Sequence, residues 1–112
     1  MIEQRDLLLV PFPFSDQSGK KVRPVIVISN NDFNKYSEDI LVVGVTTNIS
    51  KDKYTVNLRN NDLEIGSLFA TCCIKAENLL KIDKELIIKK IGKIKIEKVY
   101  DVNSKIMEII KY

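Results

Sequence analysis

The amino-acid sequence predicts a mainly β fold with one C-terminal helix, and three observations carry that prediction. Apolar runs of strand length recur along the chain up to Gly92, bounded by turn-forming residues. Beyond Gly92 the spacing changes to threes and fours, through Ile96, Val99, Asn103, Ile106 and Ile110. No run approaches the roughly 18 apolar residues of a membrane span. Five or six short strands followed by one helix describe a small twisted barrel, or a two-sheet β-structure, with the helix packed on it. The chain has 112 residues, and a single domain over residues 1–112 is expected.

Residues 6–10 form the first apolar run. Pro11 and Pro13 are expected to end it, because proline cannot donate to a central ladder. Residues 15–21 read as a polar loop rich in turn formers. The next strand, 22–29, contains the β-branched residues Val22, Val25, Ile26, Val27 and Ile28, with Arg23-Pro24 at its mouth. Together the two runs suggest a hairpin with a long tip. Asn30, Asn31 and Asp32 offer a cap for a short helical turn through 33–36. Residues 40–47 give a third buried strand, 48–52 a polar turn, 53–58 an alternating strand, and 59–62 another turn. A fifth strand is expected over 66–74 and a helical turn over 76–79. Residues 86–92 read as strand in preference to helix. The last segment is an amphipathic helix, with Asp101 and Lys105 as an i,i+4 pair.

Composition removes several function classes. The chain has no histidine, so a Ser-His-Asp triad, a Cys-His pair and a histidine-based ribonuclease pair are all excluded. There is no P-loop and no Gly-x-Gly-x-x-Gly cradle, and no cofactor is expected. Cys72 and Cys73 are adjacent, so on a strand they point to opposite faces and do not bridge each other. They are expected to pack, in a reducing compartment, and structural zinc is not expected. The first residues lack the apolar stretch of a signal peptide, so a cytoplasmic location without membrane contact is expected. The net charge of +3 is uneven: nine lysines face five acids from Lys81 to Tyr112. The Lys89-Lys90 and Lys93-Lys95 clusters are expected to be solvated.

What remains is a set of polar residues at strand ends. Arg23 stands where a loop becomes a strand, and an always-charged guanidinium on a rigid element is a fixed anion site. Thr46, Thr47 and Asn48 end the next long strand. In an open barrel these ends converge. There an arginine could neutralise a phosphate, and a threonine hydroxyl could bind a non-bridging oxygen while an RNA 2′-hydroxyl attacks in line. The plain structural reading is a surface arginine ending a core strand and two threonines chosen for their β-propensity. The loop from Phe12 to Lys21 mixes aromatics that can stack bases with lysines that can meet phosphates. More often in such a loop the aromatics, here Phe12 and Phe14, cover the core and the rest is solvated.

The residues also resemble a known family. Asp6-Leu-Leu-Leu-Val-Pro-Phe-Pro-Phe-Ser-Asp followed by Lys21-Val-Arg-Pro-Val-Ile-Val-Ile-Ser is similar to the opening of the MazF/PemK toxins. Val45-Thr46-Thr47-Asn48 and the segments 79–87 and 90–94 match in the same order. The resemblance implies an SH3-like small barrel of the MazF/CcdB/Kid kind with a C-terminal helix, a homodimer, and a cognate antitoxin. The implied activity is that of a type II toxin–antitoxin toxin: a metal-independent, sequence-selective endoribonuclease (an mRNA interferase). It would cut single-stranded RNA by 2′-hydroxyl attack to leave a 2′,3′-cyclic phosphate and a 5′-hydroxyl. The resemblance maps the family's catalytic arginine and threonine onto Arg23 and Thr46. It implies RNA contacts by Phe14, Ser15, Asp16, Gln17, Ser18, Lys20 and Lys21 in the first loop, and by Thr47, Asn48 and Lys51 in the second. There is one departure. Many members carry a glutamate about five residues before the arginine, where this chain has Ser18, and the loop's acid is Asp16. That leaves two alternatives in place: a non-catalytic toxin of the same fold acting on a protein such as DNA gyrase, or an SH3-like interaction module.

Overall fold

The computed structural model describes residues 1–12 and 21–112, and its first strand, β1 (Asp6–Phe12), lies inside one sheet. It is followed by β2 (Lys21–Val27), α1 (Asn31–Tyr36), β3 (Asp39–Thr46), β4 (Thr55–Leu58), β5 (Leu63–Gly66), β6 (Cys72–Asp83), β7 (Lys89–Ile94) and α2 (Ile96–Ile110). Short 3₁₀ turns at Asn60–Asp62 and Lys84–Leu86 complete the chain. The strands pair in the order β4-β6-β3-β2-β1-β7-β5, every pairing antiparallel. The sheet curls into a half-barrel, and the molecule measures 35 × 32 × 31 Å. The expected β-rich small barrel with a C-terminal helix is therefore present.

Apolar residues fill both faces of the sheet, as the alternation along each strand requires. One cluster contains Leu7, Ile26, Val43, Val45, Leu58, Ile74 and Ile94, and α2 packs on it through Val99, Val102 and Ile106. The other contains Leu8, Val10, Val25, Val27, Ile40, Val42 and Ile82 on the opposite face. Cys72 and Cys73 are buried free thiols in β6, as expected of packing residues. Asn30 caps α1 as expected, its side-chain oxygen accepting from Phe33 N–H at 2.9 Å.

Several expectations need correction. β1 runs on through Pro11 and Phe12, which face Val22 and Lys21 of β2. β7 pairs with β1 only from Asp6 to Leu9, so among the described residues Pro11 has a strand on one side alone and costs no central hydrogen bond. The strand expected over 66–74 is two strands, β5 and β6, separated where Gly66 adopts φ +90°. Residues 76–79 are not a helical turn but part of β6, which pairs with β3 at Lys75 and again from Leu79 on and carries 76–78 between them as a bulge. The α2 stripe is rotated from the expected one: Val102 is buried and Asn103 is exposed. Asp101 meets Lys98 rather than Lys105, and Lys105 meets Glu108. Two of the lysines expected in solvent are paired instead. Lys93 bonds Glu3 at 2.9 Å with its side chain 12% exposed. Lys90 stands 3.0 Å from the fully buried Asp6 as an ion pair rather than an aligned hydrogen bond.

Candidate functional site

A polar cleft opens at the ends of β2, β3 and β6, on the face of the sheet away from α2. Strand register explains its composition. Val25 pairs with Gly44, and Gly44 with Lys75, so these three lie in one row across the sheet. Thr46 pairs with Cys73, which pairs in turn with Asn57. Continuing the β2–β3 register by two residues sets Arg23 opposite Thr46, on the same face. Arg23, Pro24, Gly44, Val45, Thr46, Asn48, Lys75 and Asn78 line the resulting space of about 140 Å³.

Each wall has a local cause. Arg23 and Pro24 pair with β1 alone and precede the part of β2 that pairs with β3, which begins at Val25. Thr46 is the last residue of β3, and its Oγ1 accepts the Asn48 N–H at 3.1 Å, which folds the following turn back on the strand end. Gly44 places no side chain in the middle of the row. Asn78 comes from a bulge: Val43 faces Leu79 and Gly44 faces Lys75, so residues 76–78 have no β3 partner. Ala76 N–H bonds Tyr54 O at 3.1 Å instead.

Lys75 carries an ion pair at the edge of the cleft. Its ammonium donates to Asp52 Oδ2 at 2.8 Å and to Ser50 Oγ at 3.3 Å. The Asp52 hydrogen bond holds the Lys75 pKa above its ordinary value. Reciprocally, the hydrogen bonds from Lys75 and then Ser50 hold the Asp52 carboxyl below its ordinary value. Both groups are therefore charged at neutral pH, and the pair fastens the 48–53 turn to β6.

The structure brings some of the sequence candidates together and separates others. Arg23, Thr46 and Asn48 share the cleft. Thr47, one residue on, falls on the opposite face. It lines a second, more apolar groove of about 600 Å³ with Leu9, Pro24, Leu68, Phe69 and Ile91. Lys51 and Lys21 are exposed. Phe14, Ser15, Asp16, Gln17, Ser18 and Lys20 lie outside the described residues. Sequence reasoning missed Lys75, Gly44 and Asn78. Alternation along the Cys73-Ile74-Lys75 run could have put Lys75 on the face of Cys73, but nothing local announces the bulge that brings in Asn78. Among the described residues, no three His, Cys, Asp or Glu side chains gather as a metal site, and no helix is long and apolar enough to cross a membrane.

Comparison with known proteins gives a consistent set of likenesses. Residues 3–110 match the family model described as PemK-like, MazF-like toxin of type II toxin-antitoxin system. A curated relative, endoribonuclease MazF from Staphylococcus saprophyticus, is 30% identical over 98 residues, covering 88% of this chain and 79% of that protein. The solved structure of MazF from Deinococcus radiodurans superposes with a TM-score of 0.79 at 15% identity, covering 99% of this chain and 97% of that one. An endoribonuclease from Mycobacterial species, in complex with its cognate antitoxin, has a TM-score of 0.75 at 14% identity, covering 96% and 93%. At these identities the two solved structures speak for the fold.

Proposed function

Because the chain belongs to the PemK-like, MazF-like toxins of type II toxin–antitoxin systems, we propose that it is an endoribonuclease that cuts single-stranded RNA in the Arg23–Thr46 cleft. The observation that carries this reading is the register that sets Arg23 and Thr46 on one face of adjacent strand ends, around a space open to solvent. The name of the Staphylococcus saprophyticus relative supports the activity.

The chemistry follows from the groups present. The Arg23 guanidinium binds the non-bridging oxygens of the scissile phosphate and offsets the charge that builds there as the 2′-oxygen attacks. The Thr46 hydroxyl already accepts the Asn48 N–H, so its own proton is directed outward, to donate to a phosphate oxygen. The 2′-oxygen–phosphorus bond forms and the bond to the 5′-oxygen breaks. A base takes the 2′-hydroxyl proton, and the 5′-oxygen acquires one. The products are a 2′,3′-cyclic phosphate and a 5′-hydroxyl, and no step calls on a metal. In this reading RNA is contacted by Asn48 and Lys51, and by the first loop from Phe14 through Lys21, whose residues 14–20 lie outside the described ones. Cytoplasmic messenger RNA is the substrate of this reading. The partners are a second copy of the chain and a cognate antitoxin, which the solved complex of a like fold supports.

The test is cleavage of single-stranded RNA by purified protein in EDTA, with the ends identified chemically. Cyclic phosphate and 5′-hydroxyl ends are expected. Intact RNA, or cleavage that requires added metal, would refute the proposal. Growth arrest with intact RNA and blocked supercoiling would instead favour a toxin that acts on gyrase.

A further inference from the structure

We infer that Asp52 is a built-in competitor for the RNA backbone. It occupies Lys75 in the free protein, and a phosphate next to the one held by Arg23 displaces it when RNA binds. The inference rests on the nuclease reading of the cleft and adds a second cation and its counter-ion.

Three observations carry it. First, Lys75 lines the same space as Arg23 and Thr46, in the row that Gly44 leaves without a side chain between β2 and β6. Second, the Lys75 ammonium is directed to Asp52 at 2.8 Å and Ser50 at 3.3 Å, both on the turn that forms the cleft's rim. Third, the two partners differ in exposure. The Lys75 side chain is 21% exposed, whereas that of Asp52 is 58% exposed. Asp52 can therefore swing into water with its charge solvated, whereas the lysine stays in the cleft and needs an anion. A phosphodiester oxygen meets that need. The turn's backbone stays tied to the sheet while the carboxylate swings out, since Thr55 Oγ1 donates to Asp52 O at 2.8 Å and Cys73 Sγ to Ser50 O at 4.0 Å.

The competition is read directly by binding of a single-stranded oligonucleotide whose 2′-hydroxyls are replaced by hydrogen, so that binding is separated from cleavage. Asp52→Asn keeps the shape and removes the charge. It is expected to tighten binding at least threefold, because the phosphate no longer has to displace a carboxylate from Lys75. Lys75→Ala is expected to weaken binding, and the double variant to match Lys75→Ala, because Asp52 acts only through Lys75. Asp52→Ser serves as a second neutral variant, and folding is checked by circular dichroism. Asp52→Asn and Asp52→Ser that bind no more tightly than wild type, in a protein whose Arg23→Ala variant loses binding, would overturn the inference while leaving the nuclease reading intact. A wild type that binds the oligonucleotide but cuts no RNA would refute the nuclease reading, and the same variants would still decide the competition. A wild type and neutral variants that bind nothing overturn both.

Discussion

Outside the cleft, Asp6 is a buried carboxylate tied to several partners. It is fully buried at the start of β1, accepts the Glu3 N–H at 2.8 Å, and faces Lys90 at 3.0 Å and Lys93 at 4.0 Å. Asp6→Ala would leave the Glu3 amide unsatisfied and Lys93 dependent on Glu3 alone, and should cost about 2 kcal/mol by urea unfolding. Because Lys90 is 40% exposed and can turn to water, the loss stays below that of a fully buried pair. The Asp52–Lys75 pair predicts a pH dependence whose sign is fixed. The folded-state pKa of Asp52 lies below 3.8, so its contribution is present above that value and disappears as pH falls through the folded pKa. Melting temperatures of wild type and Asp52→Asn should therefore differ by a constant amount from about pH 5 to 8 and converge below pH 3.8. At this scale the placement of Arg23 at the mouth of one strand and of Thr46 at the end of another was legible, because a charged residue beside an apolar run and hydroxyls at the end of another stand out from their neighbours. Lys75 was not. A lysine on a strand reads as an exposed charge until the partner strands show what faces it.

At the scale of elements, the close approach of β5 and β7 depends on two glycines. Gly66 sits at φ +90°, and a Cβ built there would lie 2.2 Å from Ile91 O. A Cβ on Gly92 would lie 2.6 Å from Ile65 O. Both contacts are with backbone, which cannot rotate away. Gly66→Ala should therefore destabilise the fold by about 2 kcal/mol or more, seen as a lowered urea midpoint with an unchanged slope. Val102 is the one α2 residue that is fully buried, and Val102→Ala should cost about 1–2 kcal/mol by the same measurement. The existence and order of β1, β2, β3 and α2 were legible from apolar runs and periodicity, although β1 runs past the proline expected to end it. The continuity of β6 was not, because Ala76, Glu77 and Asn78 favour a turn locally and are carried through as a bulge by the β3 pairings of Lys75 and Leu79 on either side. The rotation of α2 was missed for a related reason. Val102 fits the same spacing of threes and fours as Val99 and Ile106, and packing in the cluster that also holds Ile74, Leu58 and Ile94 selects it over Asn103.

At the scale of the whole molecule, the sheet has two short edges, the four-residue strands β4 and β5, and one helix that covers a single face. α2 also exposes Ile96, Tyr100, Met107 and Ile110 on its outer side, an apolar stripe that suits association with another chain. The homodimer of the proposed function predicts light-scattering masses of twice the chain mass at micromolar concentration, and a monomer would refute it. The absence of histidine also has a whole-molecule consequence. No imidazole is available as the base, so the cleavage rate should rise through about pH 6 to 8 without the inflection an imidazole gives. The fold and the place of the cleft followed from patterning and strand order, while its counter-ion and floor depend on contacts between residues far apart in the chain.

The central claim, that Arg23 holds the scissile phosphate at the strand ends, is tested most directly by comparing wild type and Arg23→Ala on one single-stranded RNA in EDTA, with folding verified by circular dichroism. The account predicts a folded variant whose kcat/KM falls about 10²-fold or more, the loss expected when a charged group that stabilises the transition state is removed. A folded Arg23→Ala that cleaves at the wild-type rate would contradict it.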